Sequence, residues 1–131
     1  AQHKPVWAEC GGMMALFDEL VTTDGQVHAQ WGLLPGRITM QARLAALGPQ
    51  QLVIDGHLLR GHTFHYSTCA TPLTASIRTA RPGCAAAPDA GEALYQAGSI
   101  RASYFHAWFA SSPLAVAALF TRRAGTGTMT S

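Results

Sequence analysis

Short runs of apolar residues separated by turn-forming residues predict short strands and helices rather than long elements. Residues 6–9 form an apolar run that is long enough only for a buried strand. Residues 13–20 suit a helix packed on a sheet. Between them, Cys10 is followed at once by Gly11 and Gly12, which let the backbone turn tightly. The pattern therefore predicts a strand, a sharp bend and a helix, with a thiol at the bend.

The next part of the chain alternates in a way that is typical of strands. Residues 22–25 are turn formers that end the first helical pattern. Val27, Ala29 and Trp31 then alternate with polar residues, which predicts a half-exposed strand ending before residues 33–36. Residues 38–47 are compatible with either a strand or a helix.

The clearest local signal is Asp55-Gly56, which follows the apolar run 51–54 and precedes His57. Asp-Gly suits the positive φ angles of a two-residue hairpin turn, so we predict a β-hairpin here. Residues 81–91 are rich in Ala, Pro and Gly and predict a loop, after which residues 100–105 resume strand character.

The last element begins at Ser112-Pro113, which combines a helix N-cap with proline at the first helical position. The apolar run 114–120 that follows predicts a helix. Residues 125–131 are small and polar, as in a disordered tail. We therefore divide the chain into a partial domain, residues 1–124, and a tail, residues 125–131.

Composition limits the classes of function. The 131 residues suit one domain, and only 12% are charged, against roughly 25% in a typical soluble domain, so we expect part of the surface to be covered by a partner. A net charge of +2 without a basic cluster argues against nucleic-acid or membrane binding. Three cysteines make no even disulfide framework, and no signal peptide or long apolar span is visible, which favours the cytoplasm.

Cys10 is the first candidate for chemistry. A helix that begins just after it would aim free N–H groups at the sulfur, which lowers the pKa of a thiol and favours the nucleophilic thiolate. The alternative is that Cys10 is a small buried hydrophobe, the usual role of a cysteine at the end of an apolar run. A partner base elsewhere in the chain distinguishes the two.

His106 is the best candidate for that base. It follows the predicted strand 100–105, at the carboxyl edge of a sheet, where open α/β folds place their active sites. Two parallel neighbouring strands would bring Cys10 and His106 to the same edge. The alternative is a packed, hydrogen-bonded histidine among aromatic residues. We interpret His3 and His28 as surface residues.

A metal site is the rival interpretation of the remaining histidines, His57, His62 and His65. His62 and His65 point to opposite faces at strand periodicity, so they cannot both bind one ion without a bulge. We therefore predict no metal site in this chain.

Four motifs in order make the chain recognisable. The motifs are residues 5–14 (PVWAECGGMM), 32–35 (GLLP), 60–67 (RGHTFHYS) and 102–113 (ASYFHAWFASSP). Together they resemble the C-terminal glutamine amidotransferase domain of the cobyrinic or hydrogenobyrinic acid a,c-diamide synthases, from about Lys4 to Phe120. Cobyric acid synthase shares this domain and is the alternative, but the HTFHYS sequence of residues 62–67 favours the a,c-diamide enzymes.

The resemblance implies a fold and a set of roles. The fold would be the C-terminal portion of an α/β, class I glutamine amidotransferase-like (flavodoxin-like) three-layer domain with an inserted β-hairpin. Cys10 would be the nucleophile, His106 the base and acid, and the N–H of Gly11 an oxyanion donor. The substrate-binding candidates are Gly12, His65 and Tyr66, with His65 the stronger contact.

Three departures from wider patterns qualify these roles. Ala107 and Trp108 follow His106 where many amidotransferases have His-x-Glu, so we predict a Cys–His dyad. Thr63 stands where the family usually has a glutamate, and Pro49 replaces an aromatic residue. A second oxyanion donor would come from a glycine-rich loop upstream of residue 1, so we expect little activity from the chain alone.

The resemblance also implies partners and cofactors. Glutamine would be the substrate, and ATP and magnesium would bind an N-terminal synthetase domain that receives the ammonia and holds the corrinoid. No cofactor is expected in this chain, and a homodimer is left open. A non-catalytic docking fragment of the same fold is the other alternative.

Overall fold

The computed structural model describes residues 4–87 and 90–121. Within them, the helices are α1 (Gly11–Leu16) and α2 (Pro113–Phe120), and a 3₁₀ turn covers Phe109–Ser111. Strands and helices are both present, so the α/β prediction is confirmed, with strands predominating. The strands in chain order are β1 (Val6–Glu9), β2 (Phe17–Val21), β3 (Val27–Ala29), β4 (Leu34–Met40), β5 (Ala46–Ile54), β6 (His57–His65), β7 (Ser67–Ala70), β8 (Ile77–Arg78), β9 (Ala93–Ala97), β10 (Ile100–Ser103) and β11 (His106–Ala107).

The described strands form three small sheets, with the orders β1-β10-β9-β8, β11-β6-β5 and β3-β2-β4-β7. In the first sheet β1 and β10 are parallel, and Glu9 at the end of β1 lies opposite Ser103 at the end of β10. The carboxyl ends of these two strands therefore lie at one edge, as the sequence predicts. Cys10 follows one strand end and Tyr104 follows the other.

The predicted hairpin is confirmed, and its strands extend well beyond the apolar run 51–54 and the Asp55-Gly56 turn that predicted it. β5 and β6 pair antiparallel over nine residues each, from Ile54 opposite His57 to Ala46 opposite His65. Asp55 and Gly56 have φ angles of 49° and 78°, as a two-residue turn with positive φ at both positions requires.

The prediction of a helix over residues 13–20 is wrong beyond Leu16. Phe17–Val21 is strand β2, which pairs in parallel with β4 on one side and antiparallel with β3 on the other. Because the parallel neighbour β4 begins only after β3, a short window of sequence around residues 13–20 does not contain this pairing, which outweighs local helix preference. The ambiguous stretch 38–47 contains the end of one strand and the start of another and no helix, since β4 ends at Met40 and β5 begins at Ala46.

Several smaller predictions have clear outcomes. β3 is fully exposed rather than half-exposed, and Trp31 lies beyond its end. Residues 33–36 were expected to follow a strand, but β4 already begins at Leu34. The cap of α2 is confirmed, since the Ser112 hydroxyl accepts a hydrogen bond from the Ala115 N–H at 3.2 Å. The tail 125–131 and His3 lie outside the described residues.

Two hydrophobic clusters meet at the segment that follows β10. Tyr104 packs in the cluster around α1, β1, β2 and β4, whereas Phe105 packs in the cluster formed with the hairpin and α2. Adjacent residues thus anchor the chain in both clusters and determine where His106 emerges. In the part of the chain that the structure describes, neither helix has the length and apolar character needed to cross a membrane.

Candidate active site

Cys10 occupies a strained bend at the end of β1. Its φ and ψ angles are 50° and −112°, a backbone conformation that residues other than glycine rarely adopt. The Cys10 N–H donates to the carbonyl oxygen of Ser103 at 2.8 Å, which ties the bend to the end of β10. The sulfur lies 3.9 Å from the carbonyl oxygen of Phe64 on β6. The predicted strand–bend–helix layout is therefore confirmed, and the bend presents the thiol toward the hairpin.

The expectation that this position lowers the pKa of Cys10 is wrong. Burial raises the pKa of the Cys10 thiol, and the nearby carboxylates of Glu9 and Glu92 raise it further. A hydrogen bond from the Gly11 N–H lowers the pKa, but it does not offset the burial. The helix α1 has only six residues, so its N-terminus contributes less than the sequence suggests. In this conformation the sulfur is held mainly as a neutral thiol.

His106 reaches the site on a different element from the one predicted. β10 ends at Ser103, and His106 begins β11, where it pairs with His62 of β6. The two imidazole rings stack with their centroids 4.8 Å apart and their planes at 9°. β11 can approach β6 this closely because residue 61 is glycine. The hairpin therefore determines the orientation of His106.

Glu9 is a functional candidate that sequence reasoning missed. Its Oε2 lies 3.3 Å from Nδ1 of His106, and its Oε1 accepts a 2.8 Å hydrogen bond from Nε1 of Trp7. Both side chains of the Glu9–His106 pair are about one-third exposed. The only signal in the sequence was the position of Glu9 at the end of the strand that leads to Cys10.

His65 is enclosed by protein on both sides of its ring. Nδ1 lies 2.8 Å from the carbonyl oxygen of Ser67, Nε2 lies 2.8 Å from Oε2 of Glu92, and the ring stacks on Tyr104. The two ring nitrogens thus contact a backbone carbonyl oxygen on one side and a carboxylate oxygen on the other. Both ring nitrogens are therefore engaged. The geometry favours a buttressing role for His65 over the substrate contact that the sequence suggested.

The other substrate-binding candidates border open space. Tyr66 is exposed and packs edge-on against Phe64, with ring centroids 5.6 Å apart. Gly11 and Gly12 are exposed, and a Cβ atom at either would meet no atom within 4 Å. The side of the bend on which these glycines lie is therefore accessible to a small molecule.

The structure separates the histidines that could have formed a metal site. His57 begins β6 at the turn of the hairpin, His62 stacks on His106, and His65 is buried against Glu92. Within residues 4–87 and 90–121, no group of three His, Cys, Asp or Glu side chains could hold a metal ion.

Thr63 lies on the buried face of β6 and differs from the glutamate that the resemblance predicts. It is 4% exposed, and its Oγ1 has no hydrogen-bond partner among the described residues. It lines a cavity of about 590 Å³ together with Gln50, Thr79 and Glu92. Thr79 donates a 2.7 Å hydrogen bond to Oε1 of Gln50 in the lining of this cavity. A longer side chain at residue 63 would have room here.

Comparisons with known proteins place the chain in a family. The CobB/CobQ-like glutamine amidotransferase domain matches residues 1–114. The chain is 43% identical over 120 residues to the cobyrinate a,c-diamide synthase of Herminiimonas arsenicoxydans, covering 92% of this chain and 27% of that protein. It is 45% identical over 122 residues to the hydrogenobyrinate a,c-diamide synthase of Pseudomonas aeruginosa, covering 91% of this chain and 27% of that protein.

A more distant relative is similar over most of the same region. The chain is 35% identical over 118 residues to the cobyrinate a,c-diamide synthase of Salmonella typhimurium, covering 82% of this chain and 25% of that protein. The chain thus spans about a quarter of the length of the curated relatives it matches. The mixed α/β architecture is consistent with a class I glutamine amidotransferase-like fold, and the chain belongs to the family of CobB/CobQ-like glutamine amidotransferase domains.

Proposed function

We propose that this chain is the glutamine-hydrolysing domain of an ATP-dependent amidoligase that amidates the a and c carboxylates of cobyrinic or hydrogenobyrinic acid. The observation that carries the proposal is that Cys10 and His106 meet at the end of β1: Cys10 directly follows β1, and Oε2 of Glu9, the last residue of β1, lies 3.3 Å from Nδ1 of His106. The names of the relatives support the choice of corrinoid substrate. The strained bend at Cys10 supports a nucleophile, because such strain is retained where function requires it.

In the first half of the reaction, His106 takes the proton from Cys10, and the sulfur attacks the side-chain carbonyl carbon of glutamine. A C–S bond forms and the carbonyl π electrons move to oxygen. The N–H of Gly11 serves as one oxyanion donor for this developing charge. His106 then gives its proton to the departing nitrogen as the C–N bond breaks, which releases ammonia and leaves a glutamyl thioester.

In the second half, His106 takes a proton from water, and the resulting hydroxide attacks the thioester carbon. The C–S bond breaks, glutamate leaves, and the proton returns to the Cys10 sulfur. A neutral resting thiol suits this sequence, because the proton that His106 delivers to ammonia is the one that Cys10 gives up. The burial that raises the pKa of Cys10 also makes the unsolvated thiolate a stronger nucleophile once it forms.

ATP and magnesium belong to the ligation step in this proposal. The sequence contains a single lysine, Lys4, which follows no glycine, so it contains no Gly-x-x-x-x-Gly-Lys phosphate loop. The proposal therefore assigns ATP binding to another part of a longer protein. Glutamine hydrolysis by Cys10 and His106 requires neither group.

A covered surface is also part of the proposal. Several large apolar side chains are exposed, including Trp31 at 74%, Leu47 at 67% and Trp108 at 60%. Such groups support a contact with a synthetase domain that receives the ammonia, or with a second copy of the chain. The free thiols of Cys10, Cys69 and Cys84 support a reducing compartment such as the cytoplasm.

The test is a glutaminase and amidation assay on the full-length protein. We expect glutamate release that Cys10→Ala abolishes, and ATP-dependent amidation of cobyrinic or hydrogenobyrinic acid when glutamine is the nitrogen source. Cys84→Ala is the matched control, because Cys84 is exposed and lies outside the site. Glutamate release that survives Cys10→Ala would contradict the proposal. Amidation of cobyric acid precursors but not of the a and c carboxylates would indicate the other branch of the family.

A further inference from the structure

We infer that Glu9 is a positioning residue for His106, so that the residue immediately before the nucleophile completes a Cys–His–Glu arrangement. The inference rests on the proposed function of Cys10 and His106. It departs from the dyad predicted from the sequence, which considered only the residues after His106 as a source of a carboxylate.

One carboxylate oxygen of Glu9 contacts the His106 ring, and the other is held by a hydrogen bond from Trp7. Oε2 lies 3.3 Å from Nδ1 of His106, and Oε1 accepts the 2.8 Å hydrogen bond from Nε1 of Trp7. Trp7 and Glu9 are two apart on β1, so their side chains share a face of the strand. The Trp7 bond limits the rotation of the Glu9 carboxylate, and the pairing of β1 with β10 limits the backbone.

A carboxylate beside Nδ1 selects the tautomer in which Nδ1 carries the proton. Nε2 then has a free lone pair, which is the form a general base needs. His62 of β6 is a further titratable group beside the His106 ring, on which it stacks.

The same carboxylate has an opposite effect on Cys10, and this makes the inference testable. Glu9 raises the pKa of Cys10, so removal of its charge alone would make the thiolate easier to form and would speed the attack. A positioning role predicts the reverse, because Glu9→Gln would leave His106 without a carboxylate to select its tautomer. The glutamine amide can donate as well as accept, so it no longer specifies which ring nitrogen carries the proton.

The first measurement is steady-state glutaminase activity of the full-length protein. We expect Glu9→Gln to lower kcat by about tenfold or more with little change in the KM for glutamine. Trp7→Phe should lower kcat by a smaller factor in the same direction. The matched control is Glu19→Gln, since Glu19 pairs with Arg37 on the distant sheet of β2 and β4. An unchanged or raised kcat in Glu9→Gln would overturn the inference.

Two further measurements separate positioning from other effects. In a His106→Gln background, Glu9→Gln should cause no additional loss, because its effect passes through the imidazole. An equal loss in both backgrounds would overturn the inference. The ¹⁵N shifts of the neutral His106 ring, measured by NMR on the 131-residue chain, should show a single Nδ1–H tautomer that becomes a mixture in Glu9→Gln. An unaltered tautomer would also overturn it.

The tautomer measurement does not depend on turnover. If the wild-type protein releases no glutamate, the proposed function fails, and the ¹⁵N shifts alone decide whether Glu9 controls the His106 ring.

Discussion

Gly61 and His106 approach so closely that no side chain fits between them: a Cβ atom on Gly61 would lie 2.0 Å from the carbonyl oxygen of His106. The same atom would lie 2.6 Å from the ring of Phe105. Because the hairpin and β11 pair at this point, the glycine determines whether the His106 segment can dock on β6.

We therefore expect Gly61→Ala to destabilise the fold and displace His106. Overpacking of this kind costs about 1–3 kcal/mol in the free energy of unfolding, which urea denaturation measures. Gly12→Ala is the control, because a Cβ there meets no atom within 4 Å and residue 12 is helical. It should leave the free energy unchanged or raise it by about 0.5–1 kcal/mol. Equal stability of Gly61→Ala and the wild type would contradict the structure.

The three cysteines should differ in their rates of alkylation. Burial raises the pKa of Cys10 and raises that of Cys69 to about 11, whereas Cys84 is exposed. Only the thiolate reacts, so at about pH 8 we expect the order Cys84, then Cys10, then Cys69. Quantitative peptide mapping after brief treatment with iodoacetamide gives the three rates.

The alkylation rate of Cys10 should rise with pH. A raised pKa means that the Cys10 thiolate fraction is small near neutrality and grows as the pH rises, so its alkylation rate should increase about tenfold per pH unit up to that pKa. Glu9→Gln and Glu92→Gln should each increase the rate near neutral pH, because both carboxylates raise the pKa. A Cys10 rate that levels off below about pH 8 would show that the thiol is activated in the resting protein.

The buried pair of His65 and Glu92 should contribute far more than a surface pair. Both side chains are largely buried and their atoms lie 2.8 Å apart, so Glu92→Ala leaves Nε2 of His65 without its partner in the interior. We expect a loss of about 2–3 kcal/mol in the free energy of unfolding. Glu19→Ala, which breaks the exposed pair with Arg37, should cost about 1 kcal/mol or less. Similar losses for the two variants in thermal denaturation would refute the burial of the first pair.

Thr63→Val should stabilise the protein. The hydroxyl of Thr63 is buried without a partner among the described residues, and valine has nearly the same shape without the polar atom. We expect a gain of about 1 kcal/mol, measured by urea denaturation. Thr79→Val is the matched control on the same cavity, because Thr79 donates to Gln50 and accepts from the Glu92 N–H. That variant should be destabilised, and a loss in Thr63→Val as well would imply a partner for its hydroxyl.

Local chemistry was sufficient to predict several elements. The apolar run before Cys10 predicted β1, Asp55-Gly56 predicted the hairpin, and Ser112-Pro113 predicted the start of α2. Each depends on residues within a few positions of one another, whose backbone preferences act in any fold. The four motifs also indicated the family, and the comparison with known proteins confirms it.

Other features depended on contacts between distant segments. Phe17 lies in a strand and not in the predicted helix because β2 pairs with β4 and β3. His106 lies on β11 because this segment pairs with β6. A short window of sequence around Phe17 does not contain β4, and one around His106 does not contain β6.

The sequence by itself determined which residues carry the candidate chemistry, a thiol at a bend and a histidine near a strand end. The tertiary structure decided their electrostatic surroundings. Burial raised the pKa of Cys10, Glu9 came to lie beside Nδ1 of His106, and His65 was enclosed by Ser67 and Glu92. Solvation and charge depend on what surrounds an atom in space, and only the folded chain specifies those neighbours.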